Sequence, residues 1–307
     1  MKNFAFTKFF KFAIALPIAI VVAAVIVLIA CGGFNLGIDF TGGTMMTFAI
    51  GQDFDLNVVR AQVEAQGINN AVYATSGSGE DAQAIVRMHV LDDPDRETEI
   101  RAAVEEGLQA VYPNATFLNI DRVGAVAGRE LVQNAALSVG IACILMLCYI
   151  WLRFEIHFGV TAVTALVIDV AVMLSMVAIL RLQINSSFIA AVLTIVGYAI
   201  NDTIVIFDRI RENRKKYRRE KNAKEIADLS VRETLARTIN TTITTLLTIV
   251  TLYILGVDSI REFALPIIVG LIAGNFTSIF IAPSLWGIWT DKKANKLALA
   301  KRKPSKA

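Results

Sequence analysis

The sequence has few of the residues from which metal centres and disulfide frameworks are built. Its 307 residues include three cysteines and two histidines. Cys31, Cys143 and Cys148 lie in or at the end of apolar runs, and the polar region 34–133 contains none, which excludes a disulfide framework there. His89 and His157 stand apart from any cysteine or carboxylate cluster, so we expect no bound metal.

Phosphate-binding loops and nucleic-acid-binding patterns are also missing. Gly42–Gly43 predicts a tight turn, but no Gly-Lys-Ser/Thr sequence follows it, so no Walker-type ATP site is expected. The basic residues cluster beside apolar runs, where anionic lipid and membrane topology account for them. We therefore expect no cofactor and no nucleic-acid partner.

Charge itself is scarce. Charged residues make up 19% of the chain against 55% hydrophobic residues, and the mean hydropathy is +0.57. This composition is too apolar for an ordinary soluble domain and fits several membrane spans plus one modest soluble part. Six runs are long enough to cross about 30 Å of hydrocarbon; they are 12–31, 135–152, 158–180, 188–207, 238–255 and 263–286.

The first apolar run has two interpretations. It follows a basic segment with Lys2, Lys8 and Lys11, and it ends in Leu-Ile-Ala before Cys31, which also resembles a lipoprotein signal that would be cleaved. The apolar part of such a signal usually has about 7–15 residues. The run 12–31 has 20 residues, which favours an uncleaved membrane helix.

The region 34–133 is acidic, with 15 Asp and Glu against 6 Lys and Arg. Its pattern predicts strands at 44–50, 71–75, 84–90 and 115–123, with helices at 55–66, entered at Asp55, and 94–111. The order strand–helix–strand–strand–helix–strand is the split βαβ arrangement, so we expect a small ferredoxin-like α+β domain.

The basic residues predict the orientation. Lys and Arg dominate the N-terminus, the segment 208–237 (11 against 6 acidic residues) and the tail 291–307 (seven Lys and Arg), and six spans put all three on one side. By the positive-inside rule that side is cytoplasmic. The predicted parts are an N-terminus and first helix (1–33), an extracytoplasmic domain (34–133), helices two to six (134–290) with a cytoplasmic loop (208–237), and a cytoplasmic tail (291–307).

One ionisable residue stands out inside a span. Asp202, flanked by Asn201 and Thr203, lies in the fourth apolar run, and such groups are costly and commonly functional. Arg237 is its expected neighbour at the entry of the fifth helix, which a Ser230–Glu233 capping box would start near Val231. A carboxyl group so placed could bind a proton from one side and release it to the other. The alternative is a hydrogen bond that only joins helices.

Other polar residues in the spans are weaker candidates. Asp169 lies near mid-bilayer in the third helix, without a visible partner. Thr238, Thr241 and Thr245 share a face of the fifth helix and could host water or relay protons, or could satisfy neighbouring carbonyls. In the sixth helix a small-xxx-small face predicts close helix packing, formed by Gly270, Gly274 and Ser278.

Three motifs in order resemble one known family. GIDFTGGT at 37–44, with Gly37, Asp39, Phe40, Gly42 and Gly43, is similar to the signature of SecD/SecF subunits of the bacterial protein translocase. GYAINDTIVIFDRIREN at 197–213 resembles the fourth-helix motif of SecF. RTINTTITTLLT at 237–248 resembles its fifth-helix motif, with Thr242 where those proteins usually have serine.

The resemblance implies a fold of the resistance–nodulation–division transporter type. One six-helix half would pair with SecD in the bacterial inner membrane, beside the SecYEG channel and its ATPase SecA. The pair would use the proton-motive force, or a sodium gradient, to promote export of a preprotein, so the chain would not be an enzyme. Asp202 and Arg237 match positions linked to proton conduction in that family, whereas Asp169 matches none.

Two alternatives to this function remain from the sequence. One is a half-transporter of the same fold for a small molecule or lipid, because fold does not fix function. The other is a non-energised scaffold subunit, whose polar residues within the spans join helices and do nothing more.

Overall fold

The structure, a computed structural model, describes residues 4–68, 71–89, 94–153, 155–217, 220–256 and 258–302. The chain divides into two compact units, one of Leu36–Leu137 and one of Met1–Asn35 with Ser138–Ala307. The strands are β1 (Gly43–Ala49), β2 (Val72–Ser76), β3 (Gln83–Met88) and β4 (Thr116–Val123). The helices are α1 (Phe10–Ala30), α2 (Ile38–Thr41), α3 (Leu56–Glu64), α4 (Pro94–Gln109), α5 (Ala125–Arg153), α6 (Ile156–Ile179), α7 (Ser186–Tyr217), α8 (Ala223–Leu255), α9 (Asp258–Phe280) and α10 (Ala282–Arg302).

The smaller unit contains a four-stranded antiparallel sheet in the order β2-β3-β1-β4. With α3 after β1 and α4 after β3, this is the ferredoxin-like arrangement, which confirms the predicted fold. The helix α3 begins at the predicted place, because the Asp55 carboxylate accepts a hydrogen bond from the Asn57 backbone N–H at 2.9 Å.

The core of this unit is built from apolar residues that alternate along the strands and recur at helical spacing along the helices. Alternate residues of β1, including Met46 and Phe48, are buried on one face of the sheet. The predicted helical stripe of α4 covers them, and its residues Ile100, Val104 and Leu108 are each no more than 3% exposed. The hydrophobic effect of this burial holds the helices on the sheet.

The larger unit contains the membrane helices. In the described part of the chain, six helical segments are long and apolar enough to cross a bilayer, as predicted. The first, Phe6–Ala30, includes α1, the next four lie in α5 to α8, and the sixth, Ile260–Lys292, runs from α9 into α10. The chain is therefore a multi-pass membrane protein. Within this bundle α9 packs against α6, α7 and α8. The central position of α9 brings side chains of four helices together.

The predicted loop 208–237 is largely helical, which corrects the sequence-based boundary. The helix α7 continues to Tyr217, and α8 already begins at Ala223. The capping box is formed by Asn222 and Glu225, so the prediction of Ser230 and Glu233 was wrong. A hydropathy pattern predicts the end of a span where charged residues begin, but the helix itself can continue into water beyond the apolar layer.

A polar cluster ties the first residues of the chain to the charged end of α8. The Asp228 carboxylate accepts hydrogen bonds from the Thr7 backbone N–H at 2.8 Å and from the Thr7 hydroxyl at 3.0 Å. Beside it Phe6 is buried, and its ring lies 5.6 Å from that of Phe280. These contacts hold the start of the chain against α8 and α9 at the end of the bundle where Arg237 lies.

Candidate functional site

The helix α7 places Asp202 in the middle of its length, 16 residues after Ser186 and hence about 24 Å along the axis. Its side chain is buried, with 8% of its surface exposed. The flanking polar residues point in different directions: Asn201 is exposed and Thr203 is buried. Thr203 hydrogen-bonds Ser278 of α9 at 2.8 Å, so it joins two helices and does not contact Asp202 directly.

Two hydroxyl groups of α8 meet the Asp202 carboxylate. The Thr241 hydroxyl lies 3.5 Å from Oδ1, and the Thr242 hydroxyl lies 3.3 Å from Oδ2. We call these three residues the Asp202 site. Hydrogen bonds to a carboxylate stabilise its ionised form, so the hydroxyls partly offset the cost of burying the charge.

A cavity of about 30 Å³ adjoins the Asp202 site between α7, α8 and α9. A cavity of this volume can hold water, and polar side chains border it. The lining includes two of the predicted polar residues, Asn201 and Thr245, together with Tyr198, Thr241, Thr242 and Asn275. The predicted threonine face of α8 is only partly buried: Thr238 is 1% exposed, Thr245 is half-buried and Thr241 is exposed.

Arg237 lies on the same helix one turn before Thr241, but it does not pair directly with Asp202. Both residues are described, and no ion pair within 4.0 Å joins them. Arg237 is exposed in a cleft of about 640 Å³, together with Asp208, Arg209 and Glu233 among others. It acts on Asp202 electrostatically across a longer distance.

The small residues of α9 lie against α7. A Cβ atom added to Gly270 would meet Ile195 at 2.6 Å, and one added to Gly274 would meet the Ala199 Cβ at 3.0 Å. Ser278 is fully buried, and its hydroxyl reaches Thr203. These three positions allow the two helices to approach closely, because larger side chains would not fit.

Asp169 lies on α6 and has different surroundings. It is 1% exposed, and the hydroxyl of Thr277 donates to its Oδ1 at 2.5 Å. Among the described residues no basic side chain forms an ion pair with it. The structure therefore supplies a partner that the sequence did not reveal, and this partner is a neutral hydroxyl.

Comparison with known proteins identifies the family. The model described as protein export membrane protein SecD/SecF, C-terminal, matches residues 103–292, and the SecD/SecF GG motif matches residues 32–53. The protein translocase subunit SecF of Rickettsia akari is 39% identical over 263 residues, which cover 85% of this chain and 84% of that protein. That of Cereibacter sphaeroides is 38% identical over 258 residues, with 82% and 79% covered.

The chain belongs to the SecF family of protein translocase subunits. Solved structures agree with this assignment. A SecDF of Thermus thermophilus, described as a translocon-associated membrane protein, matches with a TM-score of 0.83 and 36% identity over 94% of this chain. A SecDF in the super-membrane-facing form matches with a TM-score of 0.69 and 35% identity. This chain spans 38% of the length of the first SecDF chain and 40% of the second.

The SecD/SecF GG motif forms a turn between α2 and β1. Gly37 precedes α2, which contains Asp39 and Phe40, and Gly42 follows it with φ of 68°. Gly43 has φ of 140°, and an added Cβ atom would lie 2.6 Å from the Met88 carbonyl oxygen. A side chain is therefore excluded at Gly43 both by backbone conformation and by space. The motif residues have a structural role in the smaller unit.

The polar residues of α9 other than Ser278 were not among the predicted site residues. Asn275 donates to the Thr242 hydroxyl at 2.5 Å, and Thr277 donates to Asp169. The sequence does contain a signal for them, because Asn275, Thr277 and Ser278 form a polar cluster in an otherwise apolar span. Polar residues within a span usually face other helices, but the sequence does not say which helix each one faces.

Proposed function

We propose that this SecF-family chain uses the proton-motive force to promote protein export, and that Asp202 is the group that binds the proton. The observation that carries this proposal is a buried carboxylate beside a cavity that is large enough to hold water. Proton exchange requires both a titratable group within the membrane and a path for water to reach it. The membrane potential supplies about 2.3 kcal/mol per charge for each 100 mV.

Arg237 gives the proposed site a connection to one membrane surface. It lies in the charged cleft at the end of the bundle, one helical turn from Thr241 of the Asp202 site. The same end holds the basic residues of 208–237, which supports a cytoplasmic location for the cleft and for both chain termini. Protons released from Asp202 would leave through this cleft into the cytoplasm of a bacterial cell.

The Asp202 site is open on one side, which supports a SecD partner. Tyr198 and Asn201 of α7 are exposed next to the cavity, and α8 presents Ile243 and Leu247 on its surface. The proteins similar in structure are SecDF chains, of which this chain matches less than half. In our proposal SecD covers this face and completes a twelve-helix unit. SecYEG, SecA and the emerging preprotein would then be its working partners.

Protonation would change the forces within the bundle. An ionised Asp202 attracts Arg237 and accepts hydrogen bonds from the two threonine hydroxyls. Neutralising the carboxylate weakens both interactions, so α7 and α8 can adopt a different packing. We propose that this repacking is transmitted to the extracytoplasmic domains that hold the preprotein. Sodium coupling would act at the same carboxylate.

The experiment measures export of a reporter preprotein into inverted membrane vesicles after the ATP-dependent step is complete. Potential-dependent export is compared among the wild type, Asp202→Asn and the control Asp228→Asn, whose carboxylate is buried on α8 outside the charged cleft and accepts hydrogen bonds from Thr7. All three must copurify equally with SecD. We expect only Asp202→Asn to lose the potential-dependent phase. An unchanged phase would reject the proposal and favour the scaffold function, and repeating the assay with a sodium gradient separates the two ions.

A half-transporter for a small molecule is not favoured. The similar proteins from Rickettsia akari and Cereibacter sphaeroides are both named protein translocase subunits. A half-transporter, like a scaffold, would leave preprotein export unchanged in every variant, so a loss confined to Asp202→Asn would reject both alternatives.

A further inference from the structure

We infer that Asn275 is a positioning residue that directs the hydroxyl proton of Thr242 toward Asp202. This inference deepens the proposed function, since it concerns the same carboxylate. Asn275 lies on α9 at the border of the cavity beside Asp202, and it is half-buried. Its amide nitrogen lies 2.5 Å from the Thr242 hydroxyl oxygen and 3.4 Å from the Thr238 carbonyl oxygen.

The Thr242 hydroxyl has a single proton to donate. This proton has two acceptors within reach, the Thr238 carbonyl at 3.0 Å and the Asp202 Oδ2 at 3.3 Å. A hydroxyl donates one hydrogen bond at a time, so the two choices exclude each other. A threonine in a helix commonly chooses the carbonyl four residues earlier. Without Asn275, the Thr242 hydroxyl would therefore tend to donate to the Thr238 carbonyl and not to Asp202.

Asn275 opposes that choice in two ways. The amide has two N–H groups, which suffice for Thr242 and Thr238 together. The Thr238 carbonyl oxygen has two lone pairs, of which one accepts the helical N–H of Thr242. The second is contested by Asn275 and by the hydroxyls of Thr241 and Thr242. This competition, together with the N–H that Asn275 donates to Thr242, favours the orientation in which Thr242 donates to Asp202.

The Thr241 hydroxyl cannot replace Thr242 in this role. Its distance to Asp202 is 3.5 Å, and it has two closer backbone acceptors, the carbonyls of Thr238 at 2.9 Å and of Arg237 at 3.1 Å. The hydrogen bond from Thr242 is therefore the stronger side-chain bond to the carboxylate. A hydrogen bond to the ionised form keeps a carboxylate charged to lower pH.

The other groups that face Asp202 are few. Arg237 is the charged residue of α8 that acts on it, and Tyr198 is the further titratable residue in the cavity lining, on α7 itself. The lining residues that α9 contributes are Gly270, Leu271, Gly274 and Asn275, which carry no charge. A change at Asn275 therefore alters the hydrogen bonds of Asp202 and leaves the charges around it as they were.

The test titrates Asp202 directly by infrared spectroscopy of the full chain with SecD in lipid vesicles. The carboxylic C=O band that Asp202→Asn removes reports the protonation of this residue, whether or not it drives export. We expect Asn275→Leu to move the midpoint of this band to higher pH by up to about one unit, the order expected for one hydrogen bond to an ionised group. Thr242→Val should shift it at least as far, and Thr242→Ser should leave it in place.

A double substitution separates positioning from general disturbance. If Asn275 acts through Thr242, adding Asn275→Leu to Thr242→Val causes no further shift. The control Thr194→Val removes an exposed α7 hydroxyl that bonds its own helix, and it should shift nothing. Additive shifts, an unshifted band in Asn275→Leu, or the lack of any titrating band that Asp202→Asn removes would each overturn the inference. Export that survives Asp202→Asn would reject the proposed function and not this inference.

Discussion

Two buried aspartates, Asp202 on α7 and Asp169 on α6, have different surroundings. Asp202 receives two hydroxyls from α8, borders a cavity of about 30 Å³ and lies within the electrostatic range of Arg237. Asp169 is still more deeply buried and receives one hydroxyl, from Thr277. Burial therefore does not by itself mark a proton-exchanging group. In our proposal, access to water and the nearby charge of Arg237 are what distinguish Asp202 from Asp169.

The helix α9 contributes residues to the surroundings of both Asp202 and Asp169. An added Cβ atom at Gly274 would lie 3.0 Å from the Ala199 Cβ on α7 and 3.8 Å from the Asp169 carboxylate on α6. Asn275 and Thr277 then extend toward α8 and α6 respectively. We therefore propose that α9 is a rigid support, with Asp169 as an anchor for it and Asp202 as the group that changes its charge.

The largest predicted difference between the two aspartates concerns export. Asp202→Asn should lower potential-dependent export by up to about 50-fold at 100 mV, because one charge at that potential corresponds to about 2.3 kcal/mol. Asp169→Asn should stay within about twofold, because the amide oxygen can still accept from Thr277. Both rates are measured in the same inverted vesicles at matched protein levels. Equal losses would show that the two carboxylates have the same role.

Substitutions at the contact between α9 and α7 should lower stability more than substitutions at the contact between α9 and α6. Gly270→Val would place atoms inside the Ile195 side chain, and such overpacking costs about 1–3 kcal/mol. Thermal unfolding in detergent should therefore occur at lower temperature than in the wild type. The matched control is Gly197→Val on α7, where an added Cβ atom meets nothing within 4 Å. Equal shifts in both variants would contradict a close α7–α9 contact.

The role of Asp169 as an anchor predicts a smaller loss of stability. Thr277→Val leaves the buried carboxylate without this donor and should cost about 1 kcal/mol, whereas Thr277→Ser retains the hydroxyl. Unfolding of the purified chain is compared with that of Thr164→Val, which removes an exposed hydroxyl bonded within α6. If Thr277→Val instead abolished potential-dependent export at normal stability, Asp169 would belong to the proton path.

The smallest predicted effect tests the long-range role of Arg237. Because no direct ion pair forms, a point charge should suffice, and Arg237→Lys should keep export within about twofold of the wild type. Arg237→Gln removes the charge and should lower potential-dependent export about fivefold, which corresponds to about 1 kcal/mol for an interaction in a solvated cleft. A loss in the lysine variant as large as in the glutamine variant would instead indicate that the guanidinium geometry matters.

Hydrophobicity patterns within single helices and strands were enough to predict much of the fold. Runs of about 20 apolar residues require helices that cross the bilayer, and this prediction of six spans is confirmed. Strand alternation and helical stripes likewise predicted the ferredoxin-like unit, including the start of α3 at Asp55. The helical extensions between Asp208 and Arg237 were missed, since polar helices outside the membrane have no apolar run to reveal them.

By itself the sequence determined that the chain lies in a membrane and that Asp202 lies within the fourth span, because both depend on local composition and helical rise. Only the tertiary structure decided which groups surround that carboxylate. Thr242 is 40 positions away from Asp202, and Asn275 is 33 positions away from Thr242. Such contacts depend on how α7, α8 and α9 are rotated and packed against one another. Small residues such as Gly270 and Gly274 allow the close packing, but their positions in the sequence do not show which helix they will contact.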